Sequence, residues 1–144
     1  MASGLYGVTF LNALKNDLAL DLDDTTADRF KVMLVTSAYT PDFGAHDFKA
    51  DVTNEVVGTG YTAGGESLTS VTLTQAGGTI TFDAGNITWN SSTITARAAV
   101  LYDDSLTDDP LIAYIDFGAD KSSSNGDFVI TWDASGIFSI DLTP

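Results

Sequence analysis

Apolar and polar positions alternate in short runs along most of the chain. Phe30, Val32 and Leu34 alternate with Lys31, Met33 and Val35, so this run carries apolar residues on both faces in its second half. Val71 and Leu73 alternate with threonines. Ile80 and Phe82 alternate with Thr79, Thr81 and Asp83, and Ile87 and Trp89 with Asn86 and Thr88. Ile94, Ala96, Ala98, Val100 and Tyr102 are in phase over nine residues, which predicts one strand with one apolar face. Leu111 to Ile115 is apolar throughout, as in a central strand covered on both sides. Phe128, Ile130 and Trp132, then Phe138, Ile140 and Leu142, complete the set. Period-two runs separated by Gly, Asn, Asp and Ser predict a mainly β fold, an antiparallel sandwich or barrel-like domain. No strand–helix–strand rhythm is present.

One segment has helical spacing. Phe10, Leu11, Leu14 and Leu18 share one helical face, with Thr9 placed to cap the start. This predicts one N-terminal amphipathic helix, packed on the core or lent to a neighbour, with Gly4 and Gly7 as a mobile lead. Residues 1–28 then form an N-terminal arm and Asp-rich turn, and residues 29–144 a single β domain. Tyr39 to Gly65 is the longest irregular stretch, and so long a loop in a compact domain is usually functional or an assembly element. Lys121 to Asp127 reads as a hairpin loop.

Charge and composition narrow the chemistry. The 144 residues include 6 basic and 20 acidic side chains, a net charge of −14. Such a chain is repelled by nucleic-acid phosphates and by anionic membrane surfaces, so neither is an expected partner. There is no Cys and one His, which excludes disulfides, zinc knuckles and paired-His sites. No secretory signal is evident, and no run approaches the ~20 apolar residues that span a bilayer. Synthesis in the cytoplasm is the expectation. Asp accounts for 18 of the acids, a skew toward turns rather than helices.

Each candidate chemistry has a plainer structural reading. His46 lies in a Pro- and Gly-containing loop without a nucleophile elbow, so loop packing outweighs a Ser-His-Asp role. Nothing selects two carboxylates for glycoside hydrolysis. Asp21, Asp23, Asp24 and Asp28, and again Asp103, Asp104, Asp108 and Asp109, form acidic clusters. Neither has the spacing of a calcium loop, so solvated acidic turns are expected, with a weak cation site as the alternative. Gly58, Gly60, Gly64 and Gly65 lack the Lys-Ser/Thr of a phosphate loop and read as backbone needing positive φ. Trp89 and Trp132 are in phase with their strands' apolar residues, which favours core burial over a sugar platform. Arg97, opposite the apolar face of its strand, is expected to pair with an acid such as Asp116. No enzyme, cofactor or metal is expected.

Three stretches together carry a resemblance: Phe30 to Phe43 (FKVMLVTSAYTPDF), Asp51 to Gly65 (DVTNEVVGTGYTAGG), and Leu111 to Gly118 (LIAYIDFG) with Gly126 to Ile137 (GDFVITWDASGI). Asp83 to Trp89 and Thr93 to Arg97 fit as well. The chain resembles a family of small β-rich proteins encoded in the structural modules of tailed bacteriophages, over roughly residues 29 to 142. The resemblance implies a virion component and carries no catalytic residue. It implies most directly a capsid decoration (cement) protein on the capsid surface, a homotrimer bound to the major capsid protein. A carbohydrate-binding adhesion module on a tail or head fibre is the alternative, and it needs exposed aromatics such as Tyr39, Tyr61 or Trp89. The arm and the long loop are the expected contact elements, through Leu5, Tyr6, Phe10, Tyr39, Phe43, His46, Phe48 and Tyr61.

Overall fold

The computed structural model describes residues 2–24 and 29–144. Their elements are β1 (Gly4–Leu5), α1 (Gly7–Leu14), β2 (Phe30–Val35), β3 (Glu66–Ser67), β4 (Thr72–Ala76), β5 (Thr79–Asp83), β6 (Ile87–Ser92), β7 (Thr95–Asp103), β8 (Leu111–Ser122), β9 (Gly126–Ile130) and β10 (Phe138–Asp141). Every pairing between these strands is antiparallel. One sheet has the order β1-β8-β7-β2-β3. A three-stranded sheet, β10-β5-β4, and a two-stranded sheet, β6-β9, complete the set.

The main core lies between the five-stranded sheet and the two smaller ones. Phe30, Val32, Leu34, Leu101 and Ile112 meet Phe82 of β5 and Ile87, Trp89, Phe128 and Ile130 of β6 and β9. The layout is therefore mainly β and sandwich-like, as the alternation predicts. The other face of the large sheet carries a second buried cluster, with Met33, Val35, Val100, Tyr102, Leu111 and Tyr114. Among the described residues no strand covers that face. Tyr6 and the long loop do, through Tyr39, Phe43 and Val52.

Three expectations are corrected. First, the apolar run from Ile94 to Tyr102 does not hold one face. Ala96 sits opposite Lys121 but Ala98 opposite Asp116, so the ladder shifts register there, with Phe117 to Asp120 of β8 bulging against Arg97. Ile94 and Ala96 enter the main core, while Ala98, Val100 and Tyr102 enter the second cluster. A bulge changes which face successive residues address, and residue spacing alone does not reveal it.

Second, the helix presents its leucines outward. Leu14 is 88% exposed and Leu11 56%, whereas Thr9 is buried within the helix and is not its cap. The cap position is Tyr6, which makes no side-chain capping bond. The rotation of α1 is set by what precedes it. Gly4 and Leu5 pair with Tyr114 and Ala113 on the edge of β8, and Tyr6 is fully buried. The glycine lead is thus a stitched edge strand. A Cβ on Gly4 would lie 2.7 Å from the Phe43 ring.

Third, Lys121 to Asp127 does not close a hairpin, because β8 pairs with β7 and β9 with β6. Residues 123–125 carry the chain from the large sheet to the two-stranded one, beside the parallel step from β6 to β7. Ser92 ties this corner. It is fully buried, and its Oγ contacts the Trp89 and Gly126 carbonyl oxygens and the Ser123 hydroxyl within 3.1 Å.

Candidate functional site: an aromatic clasp and an acidic rim

The long loop returns onto the second face and is held there by polar aromatics. The Tyr6 and Tyr39 hydroxyls are 2.9 Å apart, and the Tyr39 hydroxyl is 3.0 Å from His46 Nδ1. The Asp42 N–H also donates to that nitrogen, at 3.2 Å. A backbone N–H only donates, so Nδ1 is an acceptor and the ring proton of neutral His46 sits on Nε2. Tyr39 stacks on His46, and Tyr6 and Tyr114 meet the Phe43 ring edge-on. Burial pushes the Tyr6 hydroxyl far above the ordinary tyrosine range, and the Tyr39 bond adds to the effect. Burial likewise raises Tyr39. Neither phenol ionises under working conditions, so both stay donors.

The next part of the loop is fastened by a carboxylate. Asp51 Oδ2 accepts the N–H groups of Asp47 and Phe48, at 3.0 and 3.1 Å, across a short 3-10 turn at Lys49–Asp51. Those backbone donors hold the Asp51 carboxyl below the usual range. Neighbouring Asp47 moves the other way, raised by burial and then by the Asp51 charge. Phe48 bridges to Pro110, and the Leu111 N–H donates to the Asp47 carbonyl. The loop therefore locks over the start of β8.

Glu55 organises the glycine-rich end. Its Oε1 accepts the Tyr61 hydroxyl at 2.7 Å and the Gly64 N–H at 2.6 Å. The Tyr61 oxygen in turn accepts the Leu34 N–H, and the Tyr102 hydroxyl donates to the Gly64 carbonyl. Gly60, Gly64 and Gly65 have positive φ, as their run predicts, whereas Gly58 does not and is instead close against the Thr93 carbonyl oxygen. At Gly65 a side chain would overlap the Val32 carbonyl oxygen, so only glycine permits the close approach to β2.

Cations and acids are matched locally. Arg29 meets Asp24 and the fully buried Asp103, Lys31 meets Asp104, and Lys49 meets Asp109. Lys15 pairs with Asp17. Arg97 Nε donates to Asp116 Oδ1 at 2.9 Å, the pairing expected from its place in the strand. Three of the four acids in the cluster that starts at the end of β7 are thus paired with three different cations. Among the described residues no group of three or more His, Cys, Asp or Glu is placed to hold a metal. Asp28 of the first cluster lies outside the described residues. An open depression of about 570 Å³ runs between the 3-10 turn and Asp108 and Asp109, with both Asp47 and Asp51 on its wall.

The eight contact residues expected from sequence fall into two groups. Tyr6 and Tyr39 are buried within this chain and present no surface to a partner. Their hydroxyls find each other and His46, which spends them on internal closure. Leu5, Phe10, Phe43, His46, Phe48 and Tyr61 are half-buried. Phe10 meets Phe138 edge-on, and Tyr61 stacks on Trp89. Trp89 itself is buried, as its phase predicts, whereas Trp132 is half-buried with Nε1 donating to the Gly85 carbonyl. Tyr39 and Trp89 offer no open ring for sugar stacking, and Tyr61 is half-buried against Trp89.

Sequence reasoning missed Glu55, Asp51, Tyr102 and Tyr114. Glu55 had one signal, being one of two Glu among 20 acids. Tyr114 lay hidden in an apolar run. No known protein family, curated protein or solved structure matches the chain significantly.

Proposed function

We propose that this chain is a structural virion protein of a tailed bacteriophage, a capsid decoration protein that binds the major capsid protein as a homotrimer and stabilises the shell. The observation that supports this is where the resemblance falls. Its three stretches are β2 with the aromatic clasp, the Glu55-centred loop, and β8 with β9. In the first two, the polar side chains hydrogen-bond the chain's own loops closed. That pattern suits a protein whose work is mechanical. Contacts made only in the assembled state raise the free energy needed to pull capsomers apart, by mass action. The outward leucines of α1 and the half-buried aromatics around the clasp are the candidate contacts with the shell.

The test is to mix purified protein with capsids that lack it and to image the particles by cryo-electron microscopy. Regular density over capsomer junctions is the expected result. Bare capsids, with the protein found on a tail or fibre of native virions, would overturn this reading.

A further inference from the structure

The two-stranded sheet has two outer edges, and β9 forms one of them. β9 pairs with β6 on one edge and, among the described residues, with no strand on the other. A two-stranded ribbon is marginal by itself, and an open edge offers unpaired N–H and C=O groups to an arriving strand. Beside this edge lies a groove of about 390 Å³, walled by Phe117 and Lys121 of β8 and by Phe128, Val129 and Ile130 of β9. Phe128 and Ile130 belong to the main core, so the groove is the mouth of the sandwich. Val129 stands 52% exposed on its rim.

Charge identifies the occupant. Five of the six basic residues form ion pairs within the chain. Lys121 forms none among the described residues, and it lines this groove. Asp127, on the same rim, is engaged by the Ser91 N–H at 3.2 Å. Two copies of a chain with net charge −14 repel each other over most of their surface, so a contact is favoured where a cation is free to meet an acid. At the β9 edge, an acidic neighbour finds the one Lys or Arg side chain that forms no ion pair among the described residues.

We propose that the open edge of β9 and the Phe117–Phe128 groove dock a second copy of this chain, whose carboxylate pairs with Lys121. The inference rests on the self-association in the reading above, to which it assigns a surface, and is independent of capsid binding.

Sedimentation velocity of the full chain from about 1 µM to 0.1 mM tests it, in a range where mass action populates a micromolar assembly. Wild type is expected to sediment above the monomer. Lys121→Glu and Val129→Asp each raise the dissociation constant about tenfold or more. Leu14→Ser leaves it unchanged. Both substituted positions in the groove are exposed, so the fold survives, and Lys121→Gln serves as a milder variant. Wild type remaining monomeric throughout overturns the inference. So does tighter association of Lys121→Gln, because Lys121 would then be guarding the edge against pairing. Loss of association in Leu14→Ser overturns it too, by placing the contact on α1. Capsid binding measured in parallel separates the two readings. A monomer that decorates capsids overturns the second-copy inference alone, and an assembled protein that leaves capsids bare overturns the decoration reading alone.

Discussion

The two faces of the five-stranded sheet are closed by different means. On one face, strands lie over strands, and Phe82, Trp89 and Phe128 fill the space with large apolar side chains. On the other, one N-terminal residue and a long loop lie over the sheet, and tyrosines dominate. Loops bring unpaired backbone groups with them, and buried backbone groups must be satisfied. Side chains that are apolar along most of their length and polar at the tip meet both demands. The first face is thus held by area, the second by area together with hydrogen bonds to Tyr39, His46, Asp51 and Glu55. Substitutions at the two faces should therefore fail differently.

The largest expected effect is on the strand-covered face. Phe82→Ala should cost about 3–5 kcal/mol, the usual range for emptying a large core site. Urea unfolding should show a shifted midpoint with an unchanged slope, since the cooperative unit is intact. On the loop-covered face, Tyr6→Phe should cost about 1 kcal/mol, the worth of one buried hydrogen bond. Its signature should be local: faster amide exchange in residues 39–48 with little change in β5 or β6. Global loss of protection would show that the clasp and the main core are one unit.

Acid should probe the loop-covered face selectively. Asp51 is depressed, so its contribution is present above the unfolded carboxylate value and is lost as pH falls through the lower folded one. Asp47 is raised, so its contribution is present below the unfolded value and is lost as pH rises through the folded one. Asp51→Asn should cost about 1 kcal/mol at neutral pH, the usual worth of a capping carboxylate, and the loss should shrink below about pH 4. Asp47→Asn should instead stabilise at neutral pH, with a gain that vanishes in acid. Thermal melts of both variants across that window check the opposite signs. The smallest effect belongs to Arg97→Met at the bulge. The pair is half-buried at the surface, and pairs reached by solvent contribute little and are screened, so its effect on melting temperature should fall further as salt is added.

The strand-covered face was the more legible in sequence. Alternation located β2, β5, β6 and β9, and the phases of Phe82, Trp89 and Phe128 pointed them inward. That works because a strand's period of two is imposed by the backbone itself. The loop-covered face has no period. Tyr39, Phe43 and His46 read as residues waiting for a partner, because nothing in Tyr39 to Gly65 announces which sheet face the loop will cover. Thr9, Leu11 and Leu14 misled for a related reason. Their helix is short, and its orientation is dictated by Tyr6, whose own burial depends on Tyr39. Arg97 was legible as an ion pair with Asp116. It was not legible as a bulge, because a bulge belongs to two strands and one strand's spacing does not encode it.

The tied corner at Ser92 bears on how the chain folds. β6 runs into β7, and β8 into β9, so the four strands form one long hairpin folded over on itself. Its turn lies at residues 104–110. Once closed, this hairpin supplies an edge to each of the two packed layers from a single local event. β2, β5 and the loops then add to a template that already exists. A β chain of this kind otherwise waits on distant segments finding each other, at the cost of loop closure. Amides in the paired stretches of β7 and β8 should accordingly be the last to exchange. Those of β1, β3 and β10, attached only at the margins, should exchange first.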